Sequence, residues 1–211
     1  MFGITNFETF LIAAILLNIT PGADTIYILS RSISQGKKAG ILSAIGISTG
    51  SLVHCIIAAF GLSVIIAQSA NAFITIKYLG ATYLIFLGVK ALITKSKNKF
   101  ELEQVHIKKL SNRKIYISGI LTNILNPKVA LFFLAFLPQF IDPNYATNSL
   151  PFIMLGLAFI TTGTIWCLLL ALFSAKVSDS IRNNYSIKRG LNRTTGVIFI
   201  ALGIKLALSE K

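Results

Sequence analysis

Apolar residues along this chain come in long blocks. They show neither the alternation of a half-buried strand nor the one-sided stripe of a surface helix. Six blocks stand out: Phe7 to Leu29, Gly40 to Ala67, Phe73 to Ile93, Ile115 to Leu137, Leu150 to Ala175 and Leu191 to Leu208. Most approach or exceed the ~20 residues that a helix needs to cross a hydrocarbon layer of about 30 Å. The pattern predicts an all-α membrane protein with six transmembrane helices. The last block is the weakest, because only Thr194 to Ile204 lies free of charge between Arg193 and Lys205, which leaves a five-span chain open. The first block has Glu8 near its start and no Lys or Arg before it, unlike the basic leader of a cleaved signal peptide. Its helix is expected to stay in the protein.

Composition sharpens this picture. Of 211 residues, 54% are hydrophobic and 13% charged, against about 45–50% and 25% in an ordinary soluble domain. Disordered and ordinary soluble classes are excluded. Twenty Lys and Arg against 7 Asp and Glu give a net charge of +13, which in a soluble chain suggests nucleic acid. Here the distribution gives a better reason, since short loops rich in Lys and Arg stay in the cytoplasm. Arg31, Lys37 and Lys38 fall between blocks one and two; Lys95, Lys97, Lys99, Lys108, Lys109, Arg113 and Lys114 between three and four; Lys176, Arg182, Lys188, Arg189 and Arg193 between five and six. The intervening loops, Gln68 to Ala72 and Gln139 to Ser149, carry none. Both termini are therefore expected outside, with no nucleic-acid partner. Lys90 and Lys205 are close enough to helix ends to reach the interface.

The hydrophilic stretch from Thr94 to Lys114 divides the chain into a three-helix repeat at 1–94, a basic cytoplasmic linker at 95–114 and a second repeat at 115–211. Three spans per half would invert the second half relative to the first. Leu87-Gly88-Val89-Lys90 near the end of block three reappears as Leu202-Gly203-Ile204-Lys205 near the end of block six. In transporters built from inverted repeats the substrate lies near the midplane, where corresponding helices are interrupted. Block one is interrupted by Asn18-Ile19-Thr20-Pro21-Gly22-Ala23-Asp24, because Pro removes a backbone donor and Gly tolerates unusual dihedrals. Phe7 to Leu17 makes about 16 Å of helix, roughly half a bilayer. Block four is interrupted in the corresponding place by Asn123-Ile124-Leu125-Asn126-Pro127-Lys128. Unwound backbone is tolerated at this depth only against protein or a watery cavity. A single break reads as a kink; two matched breaks read as a site.

Asp24 and Lys128, of opposite sign, sit beside the two breaks. A lone Asp or Lys at the centre of a membrane helix costs about 2.5–3.5 kcal/mol, so each needs a partner, water or a function. Facing one cavity, the pair can hold the ammonium and carboxylate of an amino acid; a structural ion pair is the bland alternative. Burial and a nearby cation act oppositely on a carboxyl group, so Asp24 can also exchange a proton as its surroundings alternate. His54, deep in block two, is a possible proton relay or a neutral histidine bonded between helices. Gly36, Gly40, Ala44, Gly46 and Gly50 supply small residues for close helix approach, within the chain or in a homo-oligomer. Cys55 and Cys167 each lie inside an apolar block and read as small core residues. Gly46-Ile47-Ser48-Thr49-Gly50 matches a serine-hydrolase elbow, with His54 following, but an apolar helical run lacks the strand-to-helix turn that the motif needs. The chain is read as no enzyme. No phosphate loop, zinc-ligand spacing or dinucleotide fingerprint is found, so no cofactor is expected.

These motifs resemble the LysE/RhtB family of bacterial amino-acid exporters. The resemblance rests on Thr20-Pro21-Gly22-Ala23-Asp24 followed by Arg31, Gly36, Gly40, Gly46 and Gly50. In the second half it rests on Asn123, Asn126-Pro127-Lys128, Leu131-Phe132-Phe133 and Phe136-Leu137-Pro138-Gln139-Phe140. Ala23 departs from the family, many of whose members carry a second Pro there, and so loosens the first break by one fixed dihedral. The resemblance implies export of amino acids or their derivatives, driven by proton antiport. Asn18, Thr20, Pro21, Gly22, Asp24, Asn123, Asn126, Pro127 and Lys128 are the expected site. The alternatives are a cation or metal-ion exporter, for which one intramembrane Asp is a poor ligand set, an intramembrane hydrolase using Ser48 and His54, and a non-transporting scaffold.

Overall fold

The computed structural model describes residues 2–62, 64, 70–93, 109–174 and 185–208. Residues 95–108 of the basic linker, Lys176, Arg182 and Lys211, and the predicted ends of blocks two and five at Ala67 and Ala175, lie outside the described residues, while the linker's last residues cap and begin α5.

Among the described residues the fold is wholly helical. The first block forms α1 (Phe7–Ile19) and α2 (Ala23–Gln35), which meet at 46°. α2 runs past the predicted Leu29 because nothing breaks it before Gly36, whose φ of 86 favours glycine and ends the helix. α3 (Lys37–Ile57) continues as a π turn over Ala58–Leu62, and α4 (Ala70–Ile93) follows. The fourth block forms α5 (Asn112–Ile124) and the short α6 (Pro127–Leu131), at a bend of 48° between Asn112–Ile124 and Pro127–Phe140. Ala23 in place of a second proline thus leaves the first bend as sharp as the second. The expected continuous helix beyond α6 is instead a π segment, Phe132–Phe136, and a 3-10 turn, Leu137–Phe140. Pro138 has no N–H to continue an α-helical ladder there. α7 (Ser149–Leu172) and α8 (Tyr185–Leu208) complete the chain.

Local chemistry sets several starts. Ser111 Oγ accepts from Lys114 N at the head of α5, Asn126 Oδ1 accepts from Lys128 N at 3.1 Å at the head of α6, and Asn148 Oδ1 accepts from Leu150 N at 2.9 Å at the head of α7. Such caps satisfy N–H groups that the first turn leaves free. Pro127 occupies the first position of α6, where a missing N–H costs nothing.

Lys37–Leu62 and Ser149–Leu172 are long and apolar enough to cross a membrane, and counting each bent pair as one span gives four. α4 and α8 have 24 residues each, about 36 Å. The apolar part of α8, Gly196–Leu208, is shorter than a straight crossing needs, so the weakness read in the sixth block persists.

Packing is tight where small residues meet backbone. α3 lies against α5: a Cβ on Gly46 would strike Tyr116 O, and one on Gly50 would lie 2.8 Å from Ile120 O. α4 lies along α8, with Gly88 against Gly196 O and Gly203 against Ala81 O. Of the small residues flagged in the sequence, Gly40, Ala44, Gly46 and Gly50 pack inside the chain, whereas Gly36 meets nothing within 4 Å. An aromatic core of Phe10, Phe132, Phe133, Phe136, Phe140 and Phe159 joins α1, the π segment and α7, with Phe132 stacked on Phe159 at 4.6 Å. Cys55 and Cys167 are both buried free thiols.

Candidate functional site

Each proline withholds a donor from one carbonyl. In an unbroken α1, Leu17 O would accept from residue 21, but Pro21 has no N–H. Lys128 Nζ takes its place, donating to Leu17 O at 3.0 Å and to Thr20 O at 2.9 Å. The ammonium thus sits at the C-terminal end of α1, where the helix dipole favours a cation. Gly22 leaves room for it: a Cβ there would lie 3.4 Å from Nζ. In α5, Pro127 likewise cannot donate to Asn123 O, which accepts from Asn126 N at 3.0 Å instead. His54 Nε2 lies 3.1 Å from that oxygen, and because a carbonyl only accepts, Nε2 carries the proton. Here His54 acts as an interhelical donor; its ring also stacks on Phe133 at 5.9 Å.

Asn123 is the hub of the site. Its Nδ2 donates to Asp24 Oδ2 at 2.9 Å, and its Oδ1 accepts from Ser51 Oγ at 3.2 Å. Asp24 lies in the first turn of α2, the helix end that favours an anion. Lys128, Asn123, Asn126 and His54 are its electrostatic neighbours. The two charges therefore face one another across the breaks, each held by polar groups of the other half. Both charges thus belong to hydrogen-bonded networks with neutral groups. Asn126 Nδ2 lies near the Asp24 carboxylate without completing a hydrogen bond to it, and both Asp24 Oδ1 and Asn126 Nδ2 are buried with no hydrogen-bond partner among the described residues. Buried polar atoms left unmade cost roughly 1–3 kcal/mol.

The second half is tied in the same way. Asn18 Nδ2 donates to Phe159 O at 3.3 Å and to Thr162 Oγ1 at 3.1 Å on α7. A Cβ on Gly163 would lie 3.1 Å from Asn18 Oδ1, just as one on Gly50 would lie 3.0 Å from Asn123 Oδ1. Asn18 of the first break leans on α7, and Asn123 of the second leans on α3.

Between these elements lies a cavity of about 20 Å3, lined by Asn18, Asp24, Asn123 and Lys128 and by the hydroxyls of Thr25, Ser48, Ser51 and Thr164. That is room for about one water molecule; an amino acid fits only once the helices part. Thr20, Pro21, Gly22, Asn126 and Pro127 shape the breaks around it. Thr25, Ser51 and Thr164 were not picked out in the sequence, because small hydroxyls are common in membrane helices, and Trp166 reads there as one more apolar residue of its block. Lys77 was overlooked as well, although a charge inside an apolar block is itself a signal. It is 5% exposed, with Nζ 4.9 Å from the Tyr78 ring centroid.

Ser48 and His54 do not pair. Ser48 Oγ shares a 2.7 Å hydrogen bond with Thr164 Oγ1 and donates to Ala44 O, within a continuous helix. Among the described residues no group of three His, Cys, Asp or Glu side chains gathers to hold a metal ion.

Two bent helix pairs meet at a polar cavity in a chain of long apolar helices, the build of a multi-pass membrane protein. The family model for the LysE type translocator matches residues 15–210, and the chain belongs to that family. The uncharacterized membrane protein YrhP of Bacillus subtilis (strain 168) is 35% identical over 202 residues, 93% of this chain and 95% of that protein. Proteins named leucine efflux protein, from Klebsiella pneumoniae subsp. pneumoniae and Salmonella choleraesuis, are each 28% identical over 98% of this chain and 96% of their own length. No solved structure matches the chain.

Proposed function

We propose that this translocator exports amino acids, or close derivatives of them, from the cytoplasm across the bacterial inner membrane, exchanging them for protons. The observation that carries the reading is the meeting of Asp24 and Lys128 at one cavity between two broken helices. A carboxylate and an ammonium held apart by Asn123 and by backbone carbonyls match the two charges of an amino acid. Family membership and relatives named for leucine efflux point the same way.

The repeats at 1–94 and 115–211, inverted and joined by the linker at 95–114, are part of this proposal. Its support is reciprocity. Gly50 backs on Asn123 as Gly163 backs on Asn18, and Gly88 backs on Gly196 as Gly203 backs on Ala81. Ala81 precedes Gly88 by the same seven residues by which Gly196 precedes Gly203, so α4 and α8 run antiparallel, as the third helices of two inverted halves must. With the basic loops cytoplasmic, both termini lie outside. Asp24 carries the exchanged proton when the cavity opens alternately to the two sides, and His54 is the second titratable group within reach of it.

The test is transport in vesicles holding the purified protein and loaded with single amino acids. An imposed pH gradient should accelerate efflux of at least one of them and be dissipated in step with it. Asp24→Asn should remove the response to the gradient. Efflux of the same rate with and without the gradient overturns antiport, and no efflux of any amino acid overturns the exporter reading.

A further inference from the structure

Beside the polar cavity runs an apolar groove of about 220 Å3 between α1 and α7, lined by Ile15, Ile19, Thr162, Ile165 and Leu169, with Asn18 and Trp166. Asn18 and Trp166 also line the polar cavity. The two compartments therefore share a wall, and they differ in character: charges and hydroxyls on one side, branched aliphatic side chains with a single hydroxyl on the other. We propose that the groove receives the side chain of the exported amino acid, and that Trp166 and the flanking aliphatic residues set how large and how apolar that side chain is. The inference rests on the exporter reading above and adds a substrate class to it: amino acids with apolar side chains of about four to seven carbons.

The chemistry favours this occupant. An apolar amino acid carries both charges at one end and its hydrocarbon within a few ångströms, so it needs adjoining compartments of opposite polarity. An apolar cavity of roughly 150 Å3 suffices to hold benzene, so 220 Å3 accommodates an isobutyl or benzyl group. Among the described residues no ionised side chain lines the groove, so a charged or strongly polar side chain placed there loses its hydration without compensation. The indole N–H of Trp166 is buried with no acceptor among the described residues. It stands at the shared wall as a donor for the polar end of a ligand whose apolar end lies in the groove. Asn18, fixed there by Thr162 Oγ1 and Phe159 O, holds the seam at the level of the first break.

Ile15, Ile165 and Leu169 form the exposed rim, so a lipid acyl chain is the competing occupant. The test is amino-acid exchange by the full chain in vesicles, comparing alanine, serine, leucine and phenylalanine. Ile15→Phe and Leu169→Phe narrow the groove; Leu169→Ala widens it. One extra or missing methylene in an apolar pocket is worth about 10–200-fold in discrimination. The narrowed variants should therefore lower the leucine-to-alanine exchange ratio about tenfold or more, and Leu169→Ala should raise the phenylalanine-to-leucine ratio several-fold. Ratios that stay at the unsubstituted value, or exchange that falls equally for all four, overturn the inference and assign the groove to lipid or to packing. In that case the exporter reading stands, because exchange is still seen. Absence of any exchange by the unsubstituted chain overturns both.

Discussion

Pro21 and Pro127 act by what they take away. Each withholds the i+4 donor from a carbonyl four residues earlier, and other groups bond there: Lys128 at Leu17 O, and Asn126 N with His54 at Asn123 O. Lys128 is thus a structural donor as well as a charge. Lys128→Met should both stop transport and lower the thermal stability of the purified protein by about 1–3 kcal/mol, the cost of leaving part-buried carbonyls unmade. A melting temperature equal to that of the intact protein would contradict this. His54 separates into two roles that one pair of variants can resolve. Glutamine can donate to Asn123 O but cannot carry a proton, whereas phenylalanine can do neither. If His54 serves as a donor only, His54→Gln retains export in a transport assay while His54→Phe loses it. Equal loss in both assigns it to the proton path.

The elements meet at this site because their glycines let backbones approach. Gly50→Ala puts a methyl group 2.7 Å from Asn123 Cβ and 2.8 Å from Ile120 O, in the hub itself. It is expected to destabilise the protein by roughly 1–3 kcal/mol and to reduce export, measured as melting temperature and flux. Gly190→Ala on α8 meets nothing within 4 Å and should be neutral or stabilising by up to about 1 kcal/mol, the helix-propensity gain. The contrast between these two glycines is invisible in sequence, where both are one residue in a helical run. The breaks themselves were legible, because Pro and Gly act locally and Asn18, Asn123, Asp24 and Lys128 stand beside them in the chain. What those residues bond to was not. That Lys128 reaches α1 and that Ser51, Thr164 and Trp166 line the cavity depends on the register of helices some 30 to 140 residues apart, for which no local pattern exists. The π segment after α6 was equally hidden, since hydropathy reads Phe132–Phe136 as ordinary helix.

On the scale of the molecule, hydrogen bonds tie the first bent pair to the second at each of its ends. At one end Gln35 Nε2 donates to Leu110 O at 2.9 Å, its Oε1 accepts from Leu110 N at 3.0 Å, and Tyr27 OH donates to Ile115 O at 2.7 Å. At the other, Thr5 N donates to Phe140 O, Asp142 N donates to Gly3 O, and Ile4 bridges to Ile141. A carrier that opens its two ends in turn must break one set while keeping the other. Joining Ile4→Cys to Ile141→Cys by oxidation should therefore block export, and reduction should restore it; export at full rate with the bond formed would contradict a moving end there. The most direct test of the whole account is export from cells fed amino acids as dipeptides, comparing the intact chain, Asp24→Asn and Lys128→Ala at matched membrane abundance. The account predicts accelerated export of at least one amino acid by the intact chain and none above background by either variant. Export by both variants at the intact rate would contradict it, and would leave the two charges as no more than props for a pair of broken helices.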